Sequence, residues 1–216
     1  MWLPEEGKLM LIDTIYQTIS GEGKTAGTPC TVVRTYGCNV KCTYCDTIQT
    51  HKPVSIPAIN ISEEVAKFKP DHILLTGGEP LLQKDAGDFV LNIRARHYRK
   101  IVEIETNGTV PPPSWMKYVH IWTVDIKCPS SGVKVFEKEW LKKLRKQDQL
   151  KLVANKQDID FVKNVLKEYR TRATFVLSPV MSKGHDPFEL SRELATLAIE
   201  YGARLSLQMH KIVGLE

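Results

Sequence analysis

Five short apolar runs in this chain each end in a polar or glycine-bearing segment, and that repetition constrains its fold more than any other feature. His72–Leu75 runs into Thr76-Gly77-Gly78-Glu79-Pro80, and Lys100–Glu105 into Thr106-Asn107-Gly108. His120–Ile126 runs into Lys127-Cys128-Pro129-Ser130-Ser131-Gly132, Gln149–Ala154 into Asn155-Lys156-Gln157-Asp158, and Ala173–Leu177 into Ser178-Pro179. Helical patterns stand between several of them, over Leu82–Tyr98, Val135–Lys146, Asp160–Arg170 and Pro187–Tyr201. Strands that alternate with helices form parallel sheets with crossover helices.

Upstream, Lys8–Thr18 reads as extended and enters the turn Ser20-Gly21-Glu22-Gly23. Thr31–Tyr36 is β-branched and aromatic and reads as a strand. Prolines at 53 and 57 make His51–Ile61 irregular, and a helix is expected to start at Ser62, with Val65 and Phe68 on its apolar face. Arg204–Met209 is the last expected strand. The 216 residues fall short of the roughly 250 of a full eight-fold barrel. The expected class is therefore α/β: an incomplete TIM-type barrel of about six to seven mostly parallel strands with fewer helices, in a single domain over residues 1–216. In such folds ligands bind at the carboxyl ends of the strands, where the polar segments gather.

A formal charge of +5 is too mild, and too spread out, to indicate nucleic-acid binding. No apolar run reaches the roughly 20 residues of a membrane helix. The first residues, Met-Trp-Leu-Pro-Glu-Glu, lack a signal-peptide pattern. A cytoplasmic protein is expected, with neither nucleic acid nor membrane as partner.

Of the five cysteines, Cys38, Cys42 and Cys45 crowd one loop directly after the Thr31–Tyr36 strand. Cys30 and Cys128 stand apart and read as buried structural thiols. Three thiolates in a Cys-x3-Cys-x2-Cys spacing suit an iron–sulfur cluster or zinc. Zinc would need a fourth ligand, for which His51 is nearest in sequence. On a four-iron cluster, three ligands leave one iron open. The amine and carboxylate of S-adenosylmethionine can chelate that iron, and electron transfer then breaks a C–S bond. The Gly77-Gly78 pair after the His72–Leu75 strand would let such a ligand approach the backbone closely.

The cysteine loop together with Gly77-Gly78-Glu79-Pro80 resembles the radical S-adenosylmethionine superfamily. Gln17-Thr18-Ile19-Ser20-Gly21-Glu22-Gly23, Val33-Arg34, Gly37-Cys38-Asn39, Cys45-Asp46-Thr47, Pro129–Gly132 and Gln208-Met209-His210-Lys211 narrow the resemblance to the 7-carboxy-7-deazaguanine synthase family. That resemblance implies a radical ring contraction of 6-carboxy-5,6,7,8-tetrahydropterin with loss of ammonia, on the way to queuosine or archaeosine. It implies a four-iron four-sulfur (4Fe-4S) cluster on Cys38, Cys42 and Cys45, with S-adenosylmethionine held by Gly78, Asp125, Ile126, Lys127 and the segment Asn155, Lys156, Gln157 and Asp158. It implies substrate contacts from Ile19, Ser20, Gly21, Arg34, Thr76 and the terminal carboxylate of Glu216, and a magnesium ion on Thr47. The family's usual assembly is a homodimer, reduced by a flavodoxin- or ferredoxin-type donor. No acid or base can be singled out among Glu22, Glu79, Glu105 and Asp46. Two other functions remain for comparison: an activase that makes a glycyl radical on a partner enzyme, and a zinc-bearing RNA-binding module.

Overall fold

The chain is described here by a computed structural model over residues 9–47, 52–181 and 187–215. One nine-stranded sheet runs through it in the order β3-β1-β2-β4-β5-β6-β7-β8-β9. The strands are β1 (Leu9–Ile19), β2 (Pro29–Thr35), β3 (Val54–Pro57), β4 (His72–Gly77), β5 (Ile101–Thr106), β6 (Ile121–Asp125), β7 (Gln149–Ala154), β8 (Thr174–Pro179) and β9 (Arg204–Leu205). From β2 to β9 every pairing is parallel, while β1 runs antiparallel to both β2 and β3. The parallel part is the expected incomplete barrel, and the sheet does not close on itself.

Side chains alternate across each strand, so one residue in two faces the helices. On that face Val33, Ile73, Leu75, Val102, Ile104, Trp122, Val124, Leu150 and Leu152 join one apolar core. The helices packed there are α1 (Ala58–Ala66), α2 (Ala86–Arg96), α3 (Glu139–Lys143), α4 (Ile159–Glu168) and α5 (Pro187–Tyr201). Trp122 stacks at a tilt on Trp115 and on Trp140, with ring centroids 5.8 and 5.1 Å away. Residues of the opposite parity face inward and are largely polar. A lower tier joins the His72 ring and the hydroxyls of Thr25 and Thr123 to the buried Glu103 carboxylate at 2.6–2.9 Å. Gln149 Nε2 reaches both Glu103 and Thr123. This tier plugs the barrel below the site.

The open side of the barrel is bridged without a strand ladder. After β9, Ser206 Oγ accepts from Gly23 N at 2.7 Å, Gln208 Nε2 donates to Glu22 Oε1 at 2.8 Å, and Met209 N donates to Gly21 O at 2.8 Å. A short helix, α6 (Met209–Val213), follows.

Several boundaries differ from the sequence reading. Val54–Pro57 forms the edge strand β3 beside β1, where a proline is tolerated, and α1 starts at Ala58 instead of Ser62. Ser62 lies inside that helix and donates its hydroxyl to the Ile59 carbonyl. The α2 helix covers only Ala86–Arg96, because Pro80–Leu82 takes a 3-10 turn. The α3 helix is one turn, Glu139–Lys143, and the last strand stops at Leu205.

Candidate active site

The cysteine loop leaves β2 at Thr35 and lies over the carboxyl ends of β4 to β7. Two backbone bonds hold its start: Gly78 N donates to Thr35 O at 3.0 Å and Glu79 N to Gly37 O at 2.8 Å. A Cβ on Gly78 would lie 1.9 Å from the Gly37 carbonyl oxygen, so only glycine fits there. Thr43 N donates to Ser131 O at 3.0 Å, and the Thr43 hydroxyl to Ser130 O at 2.6 Å. Tyr44 donates its hydroxyl to Val153 O at 3.0 Å. Loop and barrel are therefore fixed to each other at both ends.

Cys38 and Cys45 are exposed and Cys42 is half-buried. Cys38, Cys42 and Cys45 all line a cavity of about 770 Å³. Asn107 Nδ2 lies 3.7 Å from Cys38 Sγ. Burial raises the Cys42 thiol above its ordinary range, against the pull of Lys127. Among the described residues no three His, Cys, Asp or Glu side chains converge on a point that one metal ion could fill. A four-iron cluster, in contrast, gives each thiolate its own iron, and spaced thiols on an open loop suit it.

A second cavity of about 490 Å³ lies beside the first. Ile19, Gly21, Arg34 and Thr76 line it, while Glu22, Asp46, Thr47, Gly77, Glu105 and Lys211 join Thr76 on the wall common to both. Arg34 is oriented by Tyr16, whose hydroxyl accepts from Nη2 at 2.7 Å and whose ring lies 5.3 Å from the guanidinium carbon. Asp46 pairs with Lys211 at 2.6 Å. Burial alone would raise the Asp46 carboxyl, but Lys211 outweighs it and holds it low.

The common floor carries the charged groups. Lys151 Nζ lies 3.0 Å from Glu22, 3.6 Å from Asp125 and 3.8 Å from Glu105. Lys127 donates to Asp125 Oδ2 at 2.6 Å. Burial works against the Asp125 charge, yet Lys127 and Lys151 hold its carboxyl below the ordinary range. For Glu105 burial prevails over Lys151 and pushes the carboxyl up to about 7. The Thr76 hydroxyl donates to Glu105 Oε2 at 3.1 Å.

Other expected site residues fall elsewhere. The Ser20 side chain is buried beneath its turn and bonds the Thr25 hydroxyl at 2.9 Å. The Ile126 side chain points into the core, and its N–H donates to Lys151 O. Asn155, Lys156, Gln157 and Asp158 line neither cavity. They form a 3-10 turn whose Asp158 carboxylate accepts from Asn155 N, Ser130 N and the Ser130 hydroxyl at 2.5–2.9 Å. That carboxylate props the turn on which Thr43 rests. Glu79 likewise has no access to a ligand: it accepts from Leu81 N, Thr106 Oγ1 and Asn107 N at 2.7–2.9 Å and is fully buried. His51 and Glu216 lie outside the described residues.

Sequence reasoning missed Lys151 and Tyr16. A usable signal existed for the first. Lys151 stands between Leu150 and Leu152 in a central strand, and period-two alternation places it on the inner face between Gln149 and Val153.

The chain matches the family model described as the radical SAM superfamily over residues 32–175. It is 36% identical over 218 residues to the 7-carboxy-7-deazaguanine synthase of Methanospirillum hungatei, covering 95% of this chain and 86% of that protein. To the 7-carboxy-7-deazaguanine synthase of Thermoplasma acidophilum it is 36% identical over 208 residues, with 94% and 97% covered. The crystal structure of QueE from Escherichia coli superposes with a TM-score of 0.71 at 21% identity, covering 94% of this chain and 95% of that one. Streptococcus suis SuiB bound to S-adenosylmethionine gives a TM-score of 0.57 at 14% identity, over 79% of this chain and 47% of that one. The chain belongs to the radical SAM superfamily and, within it, to the 7-carboxy-7-deazaguanine synthase family.

Proposed function

We propose that the two joined cavities hold S-adenosylmethionine and 6-carboxy-5,6,7,8-tetrahydropterin side by side, and that the chain forms 7-carboxy-7-deazaguanine and ammonia there. The observation that carries this reading is the common wall. The cavity lined by Cys38, Cys42 and Cys45 and the cavity containing Arg34 share Thr47, Thr76 and Glu105, so two ligands would meet at that wall.

The residues present fit the groups that the family implies. Cys38, Cys42 and Cys45 are the thiolates for the cluster. Asp125 Oδ1 is buried and accepts no well-aligned hydrogen bond among the described residues, which suits a ribose hydroxyl as donor. Gly78 lines the same cavity as the three cysteines, and its missing side chain makes room for the Gly37 carbonyl of the cysteine loop. When bound, the cluster and S-adenosylmethionine supply the carbon radical that starts the reaction.

The chain's own residues bind and orient. Arg34, held from behind by Tyr16, can grip the pterin carboxylate with two parallel hydrogen bonds. Ile19 and Gly21 offer backbone groups to the heterocycle edge. Thr47 offers a neutral hydroxyl on the common wall, a ligand that suits magnesium only when substrate oxygens and water complete its octahedron. Glu105 can hold a proton on its carboxyl near neutral pH and release it as nitrogen leaves, because burial places it at about 7. Lys127 and Lys151 keep negative charge on this floor balanced. In this reading Asn155–Asp158 acts by supporting the cluster loop, a flavodoxin- or ferredoxin-type protein supplies electrons, and the assembly is a homodimer.

The test is an anaerobic assay of the reconstituted enzyme with reductant, S-adenosylmethionine, magnesium and 6-carboxytetrahydropterin. Formation of 7-carboxy-7-deazaguanine is the expected result. Formation of deoxyadenosine without that product would sink the substrate assignment. Thr47→Ala should lose magnesium stimulation and keep the cluster spectrum; loss of the cluster instead would make Thr47 a support for Cys45, whose Sγ lies 3.9 Å from the Thr47 carbonyl.

A further inference from the structure

Lys151 reaches carboxylates that line both cavities. It comes from β7, is buried, and faces a carboxylate from each of three other elements: Glu22 from the turn after β1, Glu105 from the end of β5 and Asp125 from the end of β6. The dependence is uneven. Asp125 has a second cation on Oδ2 in Lys127, and Glu22 has Gln208 on Oε1. Their remaining oxygens, Asp125 Oδ1 and Glu22 Oε2, are buried and accept no well-aligned hydrogen bond among the described residues. The charge facing both is Lys151 Nζ, at 3.6 and 3.0 Å. Both oxygens face the Lys151 ammonium, and the residues that carry them line the cavities.

We propose that Lys151 is a positioning residue that sets the affinity of both ligands from a single point, by holding the Glu22 and Asp125 carboxylates in place on the walls of the two cavities. The proposal rests on the assignment of the cavities to S-adenosylmethionine and the pterin. A buried carboxylate without its cation either takes up a proton or turns away. Protonation weakens it as an acceptor for a hydroxyl or an N–H, and turning away removes it. Glu22 lies next to Gly21 on the turn that lines the smaller cavity, and Asp125 lines the larger one, so loss of one ammonium weakens both sites. A contact such as Arg34, which lines the smaller cavity alone, behaves differently. The other charged groups around the ammonium are Lys127 after β6, Asp46 in the cysteine loop, and His210 and Lys211 in α6. Of these, His210 feels the Glu22 charge, but burial holds its ring below the ordinary range, which leaves Lys151 as the cation on Glu22 Oε2.

The experiment uses the anaerobically reconstituted holoprotein without reductant, so that binding is read apart from turnover. Dissociation constants for S-adenosylmethionine and for 6-carboxytetrahydropterin are measured across pH for wild type, Lys151→Met, Lys151→Arg and Arg34→Ala, with iron content and thermal midpoint for each. Lys151→Met is expected to weaken both ligands about tenfold or more, the scale on which loss of a supporting partner weakens a site. It is also expected to move the acid limb of S-adenosylmethionine binding to higher pH. Lys151→Arg should restore much of both, and Arg34→Ala should weaken the pterin alone. The proposal is overturned if Lys151→Met, with full iron content, binds both ligands within about twofold of wild type at every pH. It is also overturned if that variant only lowers the thermal midpoint. Should Lys151→Met not fold, Glu22→Gln decides: weaker pterin binding supports the proposal, and unchanged binding of both ligands refutes it. If wild type binds S-adenosylmethionine but no pterin, the substrate reading fails on its own. Lys151 is then judged by S-adenosylmethionine affinity and its pH limb.

Discussion

Replacing Glu79 tests whether that buried carboxylate is a chemical group or a structural one. It follows β4 at the end of the barrel where ligands bind, in a position where an acid or base would be sought. Its oxygens already accept three hydrogen bonds, from Leu81 N at 2.9 Å, Thr106 Oγ1 at 2.8 Å and Asn107 N at 2.7 Å. Alanine would leave those donors unmatched in a dry site. At about 1–2 kcal/mol each that is about 3–6 kcal/mol of lost stability. Relief from burying a charge offsets part of it, since burial raises the Glu79 carboxyl. A net loss of about 3 kcal/mol is expected, which for a chain of this size lowers the thermal midpoint by about 6–12 °C. Glutamine keeps one acceptor oxygen and should lose less. The assay is thermal unfolding of Glu79→Ala and Glu79→Gln, with iron content and S-adenosylmethionine affinity measured alongside. An alanine variant that melts within about 2 °C of wild type would refute the reasoning. So would a glutamine variant with normal stability, iron and ligand binding but no turnover, because that pattern belongs to a proton carrier.

Three further outcomes are expected. Gly78→Ala would push a methyl group to 1.9 Å from the Gly37 carbonyl, so the loop must shift; reconstituted iron per chain should fall, and unchanged iron with tight S-adenosylmethionine binding would count against the close fit. Tyr16→Phe removes the bond that orients Arg34 and should raise the KM for the pterin about 2–10-fold while leaving S-adenosylmethionine affinity unchanged. Glu105 has its folded-state carboxyl raised to about 7, so the folded protein holds this proton where the unfolded chain has released it. Its contribution to stability therefore falls as pH rises from the ordinary glutamate range to about 7, and Glu105→Gln should flatten urea unfolding midpoints over that window. An unchanged slope in that variant would mean that Glu105 titrates normally.

The parallel half of the fold was legible because it rests on local pattern. Apolar residues such as Ile73, Leu75, Leu150 and Leu152 are buried by the sheet's own geometry, and polar segments close each strand at the end where ligands bind. Edge elements were less legible. Val54–Pro57 pairs with β1 only because the chain returns there, and its prolines read locally as loop. The cysteine loop, Arg34, Thr47 and Thr76 could be placed because residue type and order carry their chemistry. Asp158 shows the opposite case. An acid at the end of a strand resembles a ligand contact, but its partners, Ser130 and Asn155, are fixed by how two strand ends pack. Glu79 differs from Glu105 for the same reason. Both are glutamates at strand ends, and only the three-dimensional neighbours show that one is fully bonded and the other faces the cavities.

The seam between the Gly21–Gly23 turn and the Ser206–Met209 segment has a consequence for folding order and opening. Its side-chain bonds join residues 183 and 186 positions apart, far longer loops than any βα crossover in the sheet. Contacts of such long range form after the local units that bring them together. The parallel strands and the cysteine loop can therefore be in place before the smaller cavity has its last wall. The seam also holds by separate hydrogen bonds to a turn, without a continuous ladder, so separating it disrupts less than parting β1 from β2 or β7 from β8. Local opening follows the least costly route, and here that route leads directly into the cavity that Arg34 lines. Hydrogen exchange should find the amides of Gly23 and Met209 less protected than those of β5 and β6.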